Sequence, residues 1–469
     1  MSDYMRIIDV RGRGLTEQEL TTVRVVGSDE DYVTYRTKPP RYLEIDYEIR
    51  AKDKEELRKK IDAVSAIIET TEKVPIIFPD EPDMTYYGEY AGAEENVEYH
   101  HVGIHRGTIY ILRDKYKYGP EKVVEPESDT FIVENEGTAE TEPIITMNVL
   151  QDTTFALVSN GEEYMMIGRP ADALETPKDT RPLILNDPAS TLVGWTSFTS
   201  GFDFYGMGIV GGSMKVHGGY AFTPDTWGTN PNGWTGPAIR KSLSEPLQDF
   251  EVEIDIAMFN HSTGVGTIRV VGLDANDKPV FSMGMVDPTN SYPNNRAIYG
   301  LGENNKIWFT YQGDRGQKVW NNGRFLLRIS RKGQEFSARI ARKLDPQGYE
   351  QTGRHTRTYT DTRNEYQNPI TQIAIYIARA RNFANFEMLF HHLAVRKLIN
   401  PADYEVPLIA QVGDEIVFDH KTAECYVNGD PVPFDFGADF FTLKKGNNSL
   451  AVLPEDTFET SVKYREKYL

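Results

Sequence analysis

Residues 41–50, RYLEIDYEIR, alternate apolar and polar side chains almost without a break. Leu43, Ile45, Tyr47 and Ile49 fall on one side and Glu44, Asp46, Glu48 and Arg50 on the other, which predicts a strand with one buried face. The period then changes. In DKEELRKKIDAVSAIIETTE, Leu57, Ile61, Val64, Ile67 and Ile68 recur at helical spacing behind Asp53 and Glu56, a pair with capping-box spacing. Almost no other stretch carries a helical period. KVPIIFPDEPDMTYYGEYAG and VEYHHVGIHRGTIYILRDKYKYG return to strand patterns, and the Pro- and Glu-rich PEKVVEPESDT marks a boundary, closing a first region at 1–125.

Residues 131–149, FIVENEGTAETEPIITMNV, predict a strand, a turn around Asn135 and Gly137, and a second strand with Ile144, Ile145, Met147 and Val149. A lone hairpin is only marginally stable in water, so partner strands are expected soon after it. Instead the first part of this domain, 126–170, runs into GRPADALETPKDTRPLILNDPAST, which predicts a linker over 171–190. Over 191–398 the character changes: all five tryptophans (Trp195, Trp227, Trp234, Trp308 and Trp320) lie there, among alternating runs separated by Gly, Asn and Pro loops. Many short strands without a helical period predict a β-sandwich of jelly-roll type. Over 399–469 the earlier strand patterns resume in DEIVFDHKTAECYVNGDPVPF, with a turn at Asn428-Gly429, and in DFFTLKKGNNSLAVL. The predicted fold is mainly β: a sandwich begun before residue 170 and completed after 399, interrupted by an inserted jelly-roll sandwich. Such an insertion is tolerable because loop-closure entropy grows only logarithmically with loop length.

Composition narrows the function. At 469 residues the chain is long enough for two to four domains. A formal net charge of −19 disfavours tight nucleic-acid binding, which needs Lys and Arg to displace counterions, but not a surface past which DNA slides. The single cysteine, Cys425, excludes an intramolecular disulfide framework and any cysteine-rich zinc site. MSDYMRIIDVRGRG has no apolar signal core, and no stretch approaches the roughly 20 apolar residues of a membrane span. Folding in a reducing cytoplasm, with no membrane insertion, is the expectation.

PPRYLEIDYEIRAKDKEELRKKIDAVSAII, PIIFPDEPDMTYYGEYAG and RDKYKYGPE resemble the N-terminal half of distal tail proteins of long-tailed (siphovirus-type) bacteriophages. VGDEIVFDHKTAECYVNGDPV, DFFTLKKGNNSL and the ending VKYREKYL resemble the C-terminal part of the same family, so the likeness covers roughly 1–168 and 402–469. The resemblance implies an N-terminal ring-forming β domain with one helix, then a galectin-like β-sandwich, in a hexameric ring at the virion tail tip. Its implied partners are other copies of itself, the tail tube protein, tail-tip hub or tail-associated proteins, and DNA only as it passes through the lumen. It also implies assembly in the bacterial host cytoplasm, a carbohydrate-binding-module-like insert that meets host cell-wall polysaccharide, and no catalytic residues or cofactor.

Within the insert, YGMGIVGG has GxGxxG spacing at Gly206, Gly208 and Gly211, but no helix follows, so it reads as a glycine-rich loop and not a dinucleotide site. EVEIDIA places Glu251, Glu253 and Asp255 on one strand face, a pattern similar to the acidic strand of laminarinase-like glycosidases. Ala257 stands where the next carboxylate should be, and same-face neighbours lie roughly 6.6 Å apart along a strand against about 5–5.5 Å for retaining chemistry. A solvated acidic face is the expectation. His101 and His105 share a strand face while His100 points away, and no carboxylate cluster of ligand spacing accompanies them; His391 and His392 point to opposite sides of a strand, so both sets are poor metal candidates. The best binding candidates lie in YAFTPDTWGTNPNGWTGPAIRK: Tyr220, Trp227 and Trp234 as sugar-stacking rings, with Asp225, Asn230 and Asn232 for hydroxyls. Trp308 and Tyr311 form a second candidate set. Two alternatives remain open: an insert that hydrolyses wall or capsule polysaccharide, and a structural spacer for a separate receptor-binding protein.

Overall fold

The computed structural model describes residues 4–14, 19–24, 31–37, 40–69, 72–99, 103–199, 201–261, 263–292, 294–311, 320–345 and 351–469. Among the described residues, one helix stands against many strands, as the periodicity predicts. The strand Arg41–Arg50 buries Leu43, Ile45, Tyr47 and Ile49, and the helix Lys54–Ile68 lays Leu57 and Val64 on that face. Asp53 caps the helix by accepting from the Glu56 N–H at 2.8 Å, while the Glu56 carboxylate accepts from the Lys52 N–H at 3.2 Å.

Strand Lys117–Val124 carries this first sheet on into the C-terminal part of the chain. It pairs antiparallel with Phe458–Tyr468, which pairs in turn with Ile144–Val149, and that strand with Glu415–Asp419. The result is one eleven-stranded sheet running from the N-terminal region to the hairpin Glu424–Val427 and Asp430–Val432. A four-stranded sheet packs over its second half, in the order Tyr164–Gly168, Phe155–Ser159, Gly446–Leu453, Thr130–Asn135. Val133, Ile145 and Met147 therefore share a core with Ile416, Phe418, Leu450, Val452 and Val462, from the far side of the insertion.

Two expectations are corrected here. Residues 131–149 do not form a hairpin: Thr130–Asn135 pairs with Gly446–Leu453, whereas Ile144–Val149 lies in the other sheet. Between them the chain crosses from one layer to the other. Asn135 pins that crossing, its buried amide donating to the Ala139 and Leu443 carbonyls at 3.0 and 2.9 Å and its carbonyl accepting from Gly137 N–H at 3.0 Å. Nor is 171–190 wholly a linker. Thr176–Lys178 runs parallel to Glu405–Pro407 where the chain enters and leaves the insert, and Leu183–Asp187 pairs with the insert strand Glu387–Lys397.

The insert is two packed sheets. One has the order Ser213–His217, Ala221–Thr226, Glu387–Lys397, Phe250–Phe259, Gly323–Lys332, Glu335–Lys343, Gln351–Thr360, with Leu183–Asp187 beside the third. The other runs Thr196–Ser197, Ala238–Leu247, Ile370–Ala380, Gly266–Leu273, Pro279–Asp287, Arg296–Leu301, Lys306–Tyr311. Alternate residues of both fill the core between them, among them Phe250, Val252, Ile254, Phe281, Phe325, Leu327 and Ile375.

Candidate functional site

The outer face of the sheet that carries Phe250–Phe259 does not meet open solvent. It forms one wall of a cleft of about 710 Å³, whose other wall is the C-terminal part of the split sandwich, including Gln411, Asp414, Asn428 and Asp430. The expectation of a solvated acidic face is corrected: Glu251 and Asp255 are buried and Glu253 is half-buried. Cations on neighbouring strands and on the entering chain make this possible. Arg181 reaches Glu251 at 2.5 Å, Arg328 Nε donates to Glu253 at 2.9 Å, and Asp255 takes Arg324 at 2.6 Å and Lys343 at 2.7 Å. Burial pushes the Glu251 carboxyl up, but Arg328, Arg181 and Arg396 outweigh it and hold it below the usual carboxylate range.

The register explains the pairing. Glu253 stands opposite Arg328, and Arg328 opposite Arg339, so one row of side chains crosses three strands. The sequence did carry a signal for these cations. RFLLRISRK and SARIARK place Arg324 and Arg328, then Arg339 and Lys343, at even spacing on one face each. Alternation alone cannot say that this face meets the acidic one.

His391 and His392 both line the cleft, contrary to the expectation that they point apart. A bulge between Asp255 and Ile256, where Asp255 faces His392 and Ile256 faces Phe390, breaks the alternation. Burial first, then the Arg324 charge, hold the His391 imidazole down to about 4. His392 meets Asn186 Oδ1 at 2.6 Å. Among the described residues no group of three or more His, Cys, Asp and Glu is placed to hold a metal ion. His100 and His101 lie outside the described residues, and His105 is buried against the Tyr47 hydroxyl at 2.9 Å.

The six sequence-predicted binding residues do not come together. Tyr220 is 49% exposed and stacks on His391, ring centroids 5.7 Å apart, and so touches a residue that lines the cleft. Asp225 is exposed and pairs with Lys215 at 3.2 Å. Trp227 is half-buried against the main core with the Arg379 guanidinium 5.5 Å from its ring centroid. Trp234 begins the short strand Trp234–Gly236 and packs on a second cluster with Phe204, Tyr376 and Ala378. Gly208, at φ +132, makes room for it, since a Cβ there would lie 2.5 Å from the Trp234 Cβ. The expectation that this loop cannot bury its rings is corrected for Trp227 and Trp234, which pack against the sandwich. Trp308 and Tyr311 lie on Lys306–Tyr311 at the opposite edge of the insert, in an aromatic group where Tyr311 stacks on His355 at 3.9 Å. Trp195 donates its indole N–H to Asp187 at 2.9 Å and Trp320 is buried in the core.

Residues 4–102 match the family model described as phage tail protein RIFT-related domain, and residues 399–468 match siphovirus-type tail component, C-terminal domain. The distal tail protein of Bacillus phage SPP1 is 34% identical over 147 residues, which are 31% of this chain and 57% of that protein. The chain thus spans little more than half the length of this curated relative. Among solved structures, the SPP1 Dit protein aligns over 100% of this chain and 95% of its own at 15% identity and a TM-score of 0.34. The CBM2 module of the evolved Dit of Lactobacillus casei BL23 phage J-1 aligns over 48% and 99% at 14% identity and a TM-score of 0.39. The laminarinase catalytic domain of Thermotoga maritima MSB8 aligns over 48% and 100% at 8% identity and a TM-score of 0.32.

Proposed function

We propose, for a chain that belongs with the distal tail proteins of siphovirus-type phages, a structural role as the hub of the virion tail tip, with an insert that binds host cell-wall saccharide. The observation that carries this reading is the pairing of Phe458–Tyr468 with Lys117–Val124 and with Ile144–Val149. It joins the two tail-domain segments in one sheet, which supports reading the sandwich of 191–398, with Leu183–Asp187 beside it, as an appended unit. In this reading the hub assembles as a hexameric ring in the host cytoplasm and joins the tail tube to the tail-tip proteins. DNA passes through a lumen whose carboxylates repel phosphate, in keeping with the net charge of −19.

The cleft is the favoured saccharide surface. Its polar groups converge on a volume typical of ligand pockets, and Tyr220 supplies an aromatic face at its rim. Trp227, Trp308 and Tyr311 are secondary candidates. The hydrolytic alternative is not favoured by the acidic strand. A general acid needs a carboxyl held above its ordinary range, and Glu251 is held below it. Glu253 and Asp255 are each engaged by a cation. The test is a glycan array with the full chain, followed by incubation of any bound glycan. Retention without release of fragments supports the reading, and fragment release overturns its non-enzymatic part.

A further inference from the structure

The turn at Asn428-Gly429 joins strands Glu424–Val427 and Asp430–Val432 at the end of the eleven-stranded sheet. Asn428 and Gly429 have φ of +50 and +75, the left-handed pair that a tight hairpin turn requires. This turn projects into the cleft of the insert. There the Asp430 carboxylate meets the guanidinium groups of both Arg328 and Arg339. Nearby, Arg354 lies 4.8 Å from the ring centroid of Tyr426 on the same hairpin.

The charge balance of the row depends on this visitor. Arg328 and Arg339 stand opposite each other on adjacent strands, and the insert carboxylates Glu253 and Glu251 both lie on the Arg328 side, Glu251 at 3.8 Å. Burial and then the Arg328 charge hold the Arg339 guanidinium down to about 10. With Asp430 withdrawn, Arg328 keeps Glu253 and, at 3.8 Å, Glu251, whereas Arg339 keeps the neutral Gln351 carboxamide at 2.8 Å, an arrangement that recruits another anion. Guanidinium forks donate to carboxylate and phosphate oxygens in the same two-pronged geometry.

We propose that Arg328 and Arg339 form an anion site for a carboxylate- or phosphate-bearing wall saccharide, and that Asp430 of the hub occupies this site as an internal stand-in. The insert is thereby held closed against the hub. It opens when the anionic glycan displaces the turn. The two chain segments that join the bodies, paired as Thr176–Lys178 and Glu405–Pro407, are the tether about which it opens. This inference rests on the saccharide-binding reading of the insert and specifies its ligand.

The test uses the full chain and three immobilised polymers: polygalacturonate for carboxylate, a glycerol-phosphate teichoic acid for phosphate, and laminarin as a neutral glucan. Asp430→Asn keeps the turn and removes the charge. If the closed form predominates about ten to one, apparent affinity for an anionic polymer rises about tenfold in this variant. Adding Arg339→Gln abolishes the gain, and laminarin retention does not change. Limited proteolysis reads the latch separately: the tether is cleaved faster in Asp430→Asn at an unchanged melting temperature. Whichever anionic polymer responds identifies the group. Unchanged affinity for both anionic polymers, or a gain that survives Arg339→Gln, overturns the proposal. Retention on intact walls in that case leaves the broader saccharide reading standing, whereas no retention on walls or on any polymer removes both.

Discussion

Val462 lies opposite Val124 on one side and Ile145 on the other, fully buried between the first region of the chain and the split sandwich. A residue near position 460 thus shares one core with strands laid down before the insert, such as Val133, Ile145 and Met147, and with others that follow it, such as Ile416 and Leu450. The backbone pairing that builds this core skips the inserted sandwich.

Residues 1–168 joined to 402–469 by a short linker are expected to give a soluble protein with one cooperative thermal transition. Calorimetry checks it. An aggregated product without a transition contradicts it. The loss of the parallel pair Thr176–Lys178 and Glu405–Pro407 removes only a small two-stranded ribbon.

Ile145→Ala should destabilise the hub by about 2–5 kcal/mol, the range for truncating a fully buried aliphatic side chain. In the full chain the hub transition moves down while the insert transition stays. Equal movement of both would mean that the two bodies unfold as one unit.

The aromatic candidates separate by burial. Tyr220→Ala removes a half-exposed ring at the cleft rim and should weaken wall binding by about 1–3 kcal/mol at an unchanged melting temperature. Trp227→Ala removes a ring packed against the core beneath Arg379, so its melting temperature falls as well. Pull-down on cell walls and thermal unfolding of both variants check this. Normal wall binding by Tyr220→Ala would place the saccharide elsewhere.

Acidification should loosen the insert through His391. Burial, then Arg324, hold its folded value down to about 4, although Asp255 pulls the other way, whereas an unfolded histidine takes its proton near pH 6.5. The unfolded chain therefore binds more protons between these limits. The stability contributed by the neutral ring is complete above about pH 6.5 and is lost as pH falls through about 4. His420 in the hub, also held down to about 4 by burial, behaves in the same sense. Melting temperature against pH should fall less steeply for the insert in His391→Asn.

What the sequence made legible follows from the range of each signal. The helix was readable because Asp53, Glu56, Leu57 and Val64 act within a few residues of one another. The split sandwich was readable because a strand pattern resumed with no other partner for Ile145 and Met147 to pack on. Alternation cannot tell which sheet a strand joins, and so Thr130–Asn135 and Ile144–Val149 read as one hairpin when they lie in two layers. The cleft was illegible for the same reason. Glu251, Glu253 and Asp255 announced a shared face, but the groups that cover it come from Arg181, from Arg324, Arg328 and Lys343, and from Asp430 in a different body. Histidine alternation failed where a single bulge re-aimed His391.

The central claim is that this chain is a ring-forming tail hub carrying its sandwich as an appended adhesive unit. Electron microscopy of the full chain mixed with its tail tube protein tests it most directly. The account predicts six-fold rings stacked on the tube end, with peripheral density for the insert and a lumen lined by Asp and Glu. Monomers alone in the presence of the tube protein, or rings with a basic lumen, would contradict it.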